Sequence, residues 1–256
     1  MRELYSFCAG GVVACVLFAT AACGGDRARE PGQGGGTGDG QSSVAARESG
    51  TAPESTTGAT AGATNGARVL FIGTSLTAGF GLDPDSAYPA AIGRLAEAAG
   101  YDVTVAAAGL SGETSAGALR RIDWLLNDKA DVVVIETGAN DGLRGLDPDT
   151  TQANIVGIIQ RVRAANPQAQ VLLAQMEAPP NLGQRYTREF RDLFMNVARE
   201  QQVVLVPFFL EGVAGDPSLN QADGIHPNAE GARRAAENMW KALAPVLRQV
   251  PGAFTR

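Results

Sequence analysis

Asp131-Val132-Val133-Val134-Ile135-Glu136-Thr137 is the stretch that decides the fold. Its apolar centre is an unbroken β-branched run rather than an alternation, so a strand here must be covered on both faces, as in parallel sheets roofed by helices. Toward the amino terminus, Arg68-Val-Leu-Phe-Ile-Gly73 reads as a first strand, 86–99 as a helix, 101–106 as a second strand and 116–127 as a helix. Toward the carboxyl terminus follow a helix over 150–165, a strand over 170–176, a helix over 188–201, a strand over 203–207 and a helix over 229–247. Five βα repeats predict an α/β fold: a three-layer αβα sandwich around a five-stranded parallel sheet with right-handed crossovers. The expected strand order is the flavodoxin-like 2-1-3-4-5.

Composition narrows the chemistry. The chain has 256 residues, 45% hydrophobic and 19% charged, with a formal charge of -6, which suits one globular domain plus a non-globular segment. A pI near 4.9 and the lack of a Lys/Arg cluster argue against nucleic acid as a partner. The three cysteines, Cys8, Cys15 and Cys23, all precede the folded part, which removes internal disulfides, thiolate metal sites and a cysteine nucleophile from it. His226 is the sole histidine, and the carboxylates show no calcium-loop spacing, so no metal is expected. Gly73-Thr-Ser-Leu-Thr-Ala-Gly79 lacks the G-x-G-x-x-G spacing, so no dinucleotide cofactor is expected either.

Three segments are expected. Residues 1–22 form an apolar run after Arg2 that reads as an export signal. It ends in Thr20-Ala21-Ala22-Cys23-Gly24, which resembles the bacterial lipobox, with Cys23 the lipidated first residue of the mature chain. Thr20 stands where Leu is usual, which leaves an uncleaved anchor or ordinary cleavage after Ala21 or Ala22 as alternatives. Residues 23–67 are rich in Gly, Ser, Thr and Ala and cannot bury enough apolar surface to offset the entropy of ordering. As a coil this tether would span roughly 35 Å. Residues 68–256 form the domain, which on this reading faces the periplasm or cell exterior and works as a monomer.

In a doubly wound sheet the ligand crevice lies beyond the carboxyl ends of the strands, where strand order reverses, here between the first and third strands. The residues there are Gly73-Thr74-Ser75-Leu76-Thr77 and Gly138-Ala139-Asn140-Asp141, with Ser111-Gly112-Glu113-Thr114 following the second strand. Each has a bland explanation: a serine in such a turn is most often a helix cap, and Gly-Ala-Asn-Asp can be a plain turn. Asp223-Gly224-Ile225-His226-Pro227 can be a surface turn that starts a helix. Together they mean more, because a hydroxyl, an amide and a glycine loop share one sheet edge with the sole imidazole. Serine is a weak nucleophile until a base takes its proton, and that base needs an acceptor on its other ring nitrogen. Asp223, three residues before His226, can supply it. The context of Ser75 is not the G-x-S-x-G of the α/β-hydrolase elbow.

Gly73-Thr-Ser75-Leu, Gly112 in Ser-Gly-Glu-Thr, Gly138-Ala-Asn140-Asp141 and Asp223-Gly-Ile-His226-Pro resemble, in order, the four blocks of the SGNH (GDSL-type) hydrolases. The closest likeness is to the bacterial thioesterase I, lysophospholipase and arylesterase group, since Gly-Ala-Asn-Asp-Gly-Leu-Arg-Gly (138–145) and Val-Pro-Phe-Phe-Leu-Glu (206–211) also look characteristic. The resemblance implies Ser75 as nucleophile, His226 as general base and then acid, and Asp223 as its orienting carboxylate. It implies an oxyanion hole from the N–H groups of Ser75 and Gly112 and the amide of Asn140. The implied reaction is hydrolysis of carboxylic esters or thioesters of small to medium acyl chains through an acyl-enzyme. The alternatives are a carbohydrate or cell-wall O-deacetylase and a non-catalytic ligand-binding lipoprotein. Activity is expected to fall as acid protonates the imidazole.

The family usually has Asp where this chain has Thr74. Thr can cap the helix after Ser75 but cannot give loop amides a carboxylate's charge-assisted hydrogen bonds, so a somewhat looser nucleophile loop is expected. Leu76, Phe80, Leu143, Pro179 and Asn181 are candidate walls of an acyl pocket, with ordinary loop packing as the alternative for each. Trp124 and Trp240 are read as core or partly buried anchors.

Overall fold

The structure is a computed structural model that describes residues 66–254. The expected export signal, Cys23 and nearly all of the tether lie outside the described residues. The sheet has five strands, β1 (Ala67–Gly73), β2 (Val103–Gly109), β3 (Val132–Ile135), β4 (Gln170–Ala174) and β5 (Val204–Val206), in the order β2-β1-β3-β4-β5. All four pairings are parallel. Val132 through Ile135 are each 0% exposed, which is why this run carries no polar alternation. Burying each such side chain contributes about 1.5–3 kcal/mol.

The helices α1 (Ser75–Ala78), α2 (Tyr88–Ala98), α3 (Ser115–Leu125), α4 (Ala139–Leu143), α5 (Pro148–Ala165), α6 (Gln184–Glu200) and α7 (Ala229–Leu247) complete the domain. α2 packs with α7, while α3 packs with α5 and α5 with α6, giving one helical layer on each side of the sheet. α7 buries Ala232, Ala235, Ala236, Met239 and Leu243, the apolar stripe of an amphipathic helix, and the Asn228 side chain caps it by accepting from the Gly231 N–H at 3.0 Å. Among the described residues no helix is long and apolar enough to cross a membrane.

Three expectations need correction. The second strand starts at Val103 and runs to Gly109, not over 101–106. Tyr101 instead bridges Phe254 and packs its ring on Phe254 and Trp240, while pairing with β1 carries the strand through Ala106-Ala107-Ala108, residues of low β propensity. Gly138-Ala-Asn-Asp is the start of a short helix rather than a turn, with Gly138 at φ 96° before it. Trp124 is 72% exposed on the solvent face of α3 and anchors nothing, whereas Trp240 packs against the core as expected.

Candidate active site

The crevice is built from the loops at the carboxyl ends of all five strands. β1 ends at Gly73, and the chain turns at once into the single turn of α1, which starts at Ser75. Thr74, at the N-cap position, makes no side-chain cap bond, which corrects the expectation of a cap. Its hydroxyl donates instead to Glu136 Oε1 at 2.8 Å, and its N–H to Glu136 Oε2 at 2.9 Å. The N–H of Thr77 (3.2 Å) and its hydroxyl (2.8 Å) also donate to Oε2. The carboxylate that Thr74 cannot provide therefore comes from the end of β3, and the loop is held, not loose. Gly73 is required by this close approach, because a Cβ there would sit 2.5 Å from Glu136 Oε2.

The loop after β5 brings the imidazole in from the other end of the domain. Asp223 Oδ1 accepts the N–H of Ile225 at 2.9 Å and of His226 at 3.0 Å, a tight turn that puts Gly224 at φ 69°. Asp223 Oδ2 lies 2.7 Å from His226 Nδ1, and His226 Nε2 lies 3.0 Å from Ser75 Oγ. The bond to the His226 ring, then those to the backbone of His226 and Ile225, lower the Asp223 carboxyl to about 2. An ionised carboxylate only accepts, so Nδ1 carries the proton and Nε2 is left as acceptor toward the serine hydroxyl. Gln221 ties this loop to α1: its side-chain amide donates to Phe80 O at 2.7 Å and Pro227 O at 2.9 Å, and the Phe80 ring lies 4.5 Å from the imidazole.

Gly112 and Asn140 border the same crevice. Asn140 Nδ2 donates to the Glu113 carbonyl at 3.0 Å, which fixes the plane of the amide and leaves a second N–H donor. Arg144 donates to the Gly112 carbonyl at 2.8 Å, setting the peptide next to it. Buried Asp141 accepts from the N–H (2.8 Å) and hydroxyl (2.6 Å) of Ser115, joining α4 to the start of α3. Arg121 pairs with Glu113 at 2.6 Å and also donates to Ala108 O at 2.9 Å, pinning the end of β2 to the Gly112 loop.

Ser75, Leu76, Phe80, Gly112, Asn140, Leu143, Pro179 and His226 all line one cavity of about 540 Å³. Its other walls include Ala178, from the loop after β4, and Met176, Phe208 and Leu210, which sequence reading had not named as walls. Asn181 is not among the lining residues: Pro180 opens a 3-10 turn that leaves Asn181 exposed, so its assignment as a wall is corrected. Glu136, Arg121, Glu113 and Asp141 were also missed as supports. Glu136 did carry a signal, since an acid closing a wholly buried strand needs dedicated donors. Among the described residues, no group of three or more His, Cys, Asp or Glu could hold a metal ion.

A family model described as GDSL-like Lipase/Acylhydrolase family matches residues 71–234. The chain is 43% identical over 180 residues to the esterase TesA of Pseudomonas aeruginosa, covering 70% of this chain and 89% of that protein. It is 38% identical over 180 residues to the thioesterase 1/protease 1/lysophospholipase L1 of Escherichia coli, covering 70% of this chain and 84% of the relative. Among solved structures, the psychrotrophic esterase EstA from Pseudoalteromonas sp., inhibited by monoethylphosphonate, superposes with a TM-score of 0.67 at 33% identity, covering 71% of this chain and 99% of that one.

Proposed function

The chain belongs to the GDSL-like lipase/acylhydrolase family and is an ester hydrolase, and from that premise we propose that Ser75, His226 and Asp223 carry its reaction. The supporting observation is the continuous relay from Asp223 Oδ2 through both imidazole nitrogens to Ser75 Oγ, at 2.7 and 3.0 Å. His226 Nε2 takes the hydroxyl proton as Ser75 Oγ bonds to the acyl carbon. Charge moves onto the carbonyl oxygen, where the N–H groups of Ser75 and Gly112 and the Asn140 amide receive it. The intermediate collapses as His226 returns the proton to the departing alcohol or thiol, leaving an ester on Ser75. Water, activated by the same imidazole, then frees the acid and restores the hydroxyl.

The substrate is an ester or thioester of a small to medium acyl chain. The cavity falls within the roughly 300–1,000 Å³ typical of ligand sites, and Leu76, Phe80, Leu143, Met176 and Leu210 on its walls suit an aliphatic chain better than a sugar. Every group in the relay comes from one chain, consistent with a working monomer. We further assign residues 1–22 to an export signal, Cys23 to lipidation and residues 23–67 to a tether holding the domain off a membrane, on the strength of Thr20-Ala21-Ala22-Cys23-Gly24. Cys23→Ser should abolish incorporation of a clickable fatty acid, and unchanged labelling would remove the anchor. A fluorophosphonate should label Ser75 alone and Ser75→Ala should end ester turnover; label on another serine, or surviving turnover, would overturn the assignment.

A further inference from the structure

We propose that Glu136 is a positioning residue for the nucleophile: its carboxylate, at the end of β3, clamps Thr74 and Thr77 on either side of Ser75 and so fixes the serine hydroxyl against His226. The inference rests on Ser75 being the nucleophile. The clamp is specific in its atoms. Oε2 takes both backbone N–H groups and the Thr77 hydroxyl, and Oε1 takes the Thr74 hydroxyl, so both flanking residues are bound by main chain and side chain alike. It leaves out the N–H of Ser75 itself, the one assigned to the developing oxyanion. A second layer backs it, since the Tyr88 hydroxyl lies 2.8 Å from Thr77 Oγ1.

Two observations argue that this is more than ordinary loop packing. A carboxylate 0% exposed is a costly way to satisfy two amides, because burial opposes its charge and pushes the carboxyl up to about 7 despite the Thr74 and Thr77 bonds. A threonine or asparagine cap would satisfy α1 more cheaply. The clamp also acts where precision matters, because Thr74 and Thr77 carry the chain on both sides of a hydroxyl that must meet Nε2 at 3.0 Å. A displacement of about 1 Å at a reacting group can lower the rate about 100-fold.

Glu136→Gln is the direct test, because the carboxamide keeps the shape but loses the charge, and with its oxygen on the Thr74 and Thr77 N–H groups its NH2 group meets the Thr74 hydroxyl, which must turn from donor to acceptor. The full chain is assayed on an activated aryl ester, with active sites titrated by a fluorophosphonate and turnover expressed per titrated site. The expected result is a kcat per site lower by about 10- to 100-fold with KM within about twofold. A purely structural role would reduce the titratable fraction and leave kcat per site unchanged, and that result overturns the proposal. If Glu136→Gln does not fold, Thr77→Val and Thr77→Ser decide. Removing one hydroxyl donor should lower kcat per site about 3- to 10-fold, and the serine should recover most of it; equal turnover in the two overturns the clamp. Loss of turnover in Ser75→Ala alongside either negative result sinks only the positioning role, whereas persistence of turnover in Ser75→Ala sinks the nucleophile with it.

Discussion

His226 Nδ1 and Asp223 Oδ2 lie 2.7 Å apart, and the other oxygen of that carboxylate holds the backbone of the very turn that carries the imidazole. One side chain thus sets both where the ring sits and which of its nitrogens bears the proton. Asp223→Asn keeps the size but presents an amide that can donate to Nδ1 and so favour the wrong tautomer. Its kcat should fall about 10²- to 10⁴-fold with little change in KM. The Asp223 carboxyl is held near 2, below its ordinary 3.8. What the pair adds to stability is therefore present above about pH 4 and lost as pH falls toward 2. Unchanged kcat in Asp223→Asn would take this carboxylate out of the relay.

Asn140 is held by the Glu113 carbonyl at 3.0 Å and keeps a second N–H donor at the wall of the cavity. Donors that meet charge only as it develops act on turnover more than on binding. Asn140→Ala should lower kcat about 10²- to 10³-fold and leave KM nearly unchanged. A rise in KM at constant kcat would make Asn140 a substrate-binding group and take it out of the oxyanion hole.

How much of this was legible in the sequence follows from range. The β-branched run Val132–Ile135 and the helical stripe of α7 announce themselves locally, because their pattern is the imprint of burial on both faces or on one. Ser75 and His226, 151 residues apart, could be paired because the fold dictates that both loops open on one edge and the chain has a single imidazole to offer. Glu136, an acid closing a buried strand, signalled a need for donors, but which donors it would find was not legible. Position 74 was judged by its own side chain, while the partner that decides its role arrives across a strand pairing 62 residues away. Trp124 failed for the converse reason, since helical spacing marks a face and not whether anything covers it. Asn181 failed because a proline turn redirects the chain at a scale finer than hydropathy resolves.

Glu136 should also leave a mark on stability. Burial first, resisted by the bonds from Thr74 and Thr77, raises its carboxyl from 4.5 to about 7. The unfolded chain gives up this proton near 4.5 and the folded chain holds it until about 7, so stability is full below the lower value and declines as pH rises through that window. Tyr88, whose own hydroxyl is pushed up by burial and by Glu136, faces it and stays neutral throughout. Between pH 4.5 and 7 the natural chain should lose about 3 kcal/mol relative to Glu136→Gln, read from urea unfolding at each pH. Parallel curves for the two proteins would mean the carboxyl titrates alike folded and unfolded.

The Arg121–Glu113 pair is set deeper than most ion pairs, with the Glu113 side chain 4% exposed and Arg121 21%. Arg121→Gln leaves a buried carboxylate without its cation and frees the Ala108 carbonyl. Because Arg121 is partly solvated, the expected cost lies toward the low end of the roughly 3–5 kcal/mol seen when one partner of a buried pair is removed. Replacing both residues by leucine should cost less than Arg121→Gln alone. If it cost more, the hydrogen bonds from Arg121 to the strand ends, rather than the charge left behind, would be the larger effect.

Gly73 and Gly93 make opposite predictions from the same substitution. A Cβ at Gly93, inside α2, would meet only a Val105 methyl at 3.6 Å, an ordinary contact. Gly93→Ala should therefore stabilise the protein by about 0.5–1 kcal/mol through helix propensity and a stiffer unfolded chain. At Gly73 the same atom would lie 1.9 Å from Thr77 Oγ1 and 2.5 Å from Glu136 Oε2, so either the clamp opens or β1 moves. Both responses shift Ser75, the second residue beyond. Gly73→Ala should thus lower kcat by about 100-fold or more, and it should also unfold at lower urea than the natural chain. Normal turnover in Gly73→Ala would mean that the carboxylate can swing aside without disturbing Ser75, leaving the nucleophile to be held by the hydrogen bonds within α1 and the contact with His226 alone.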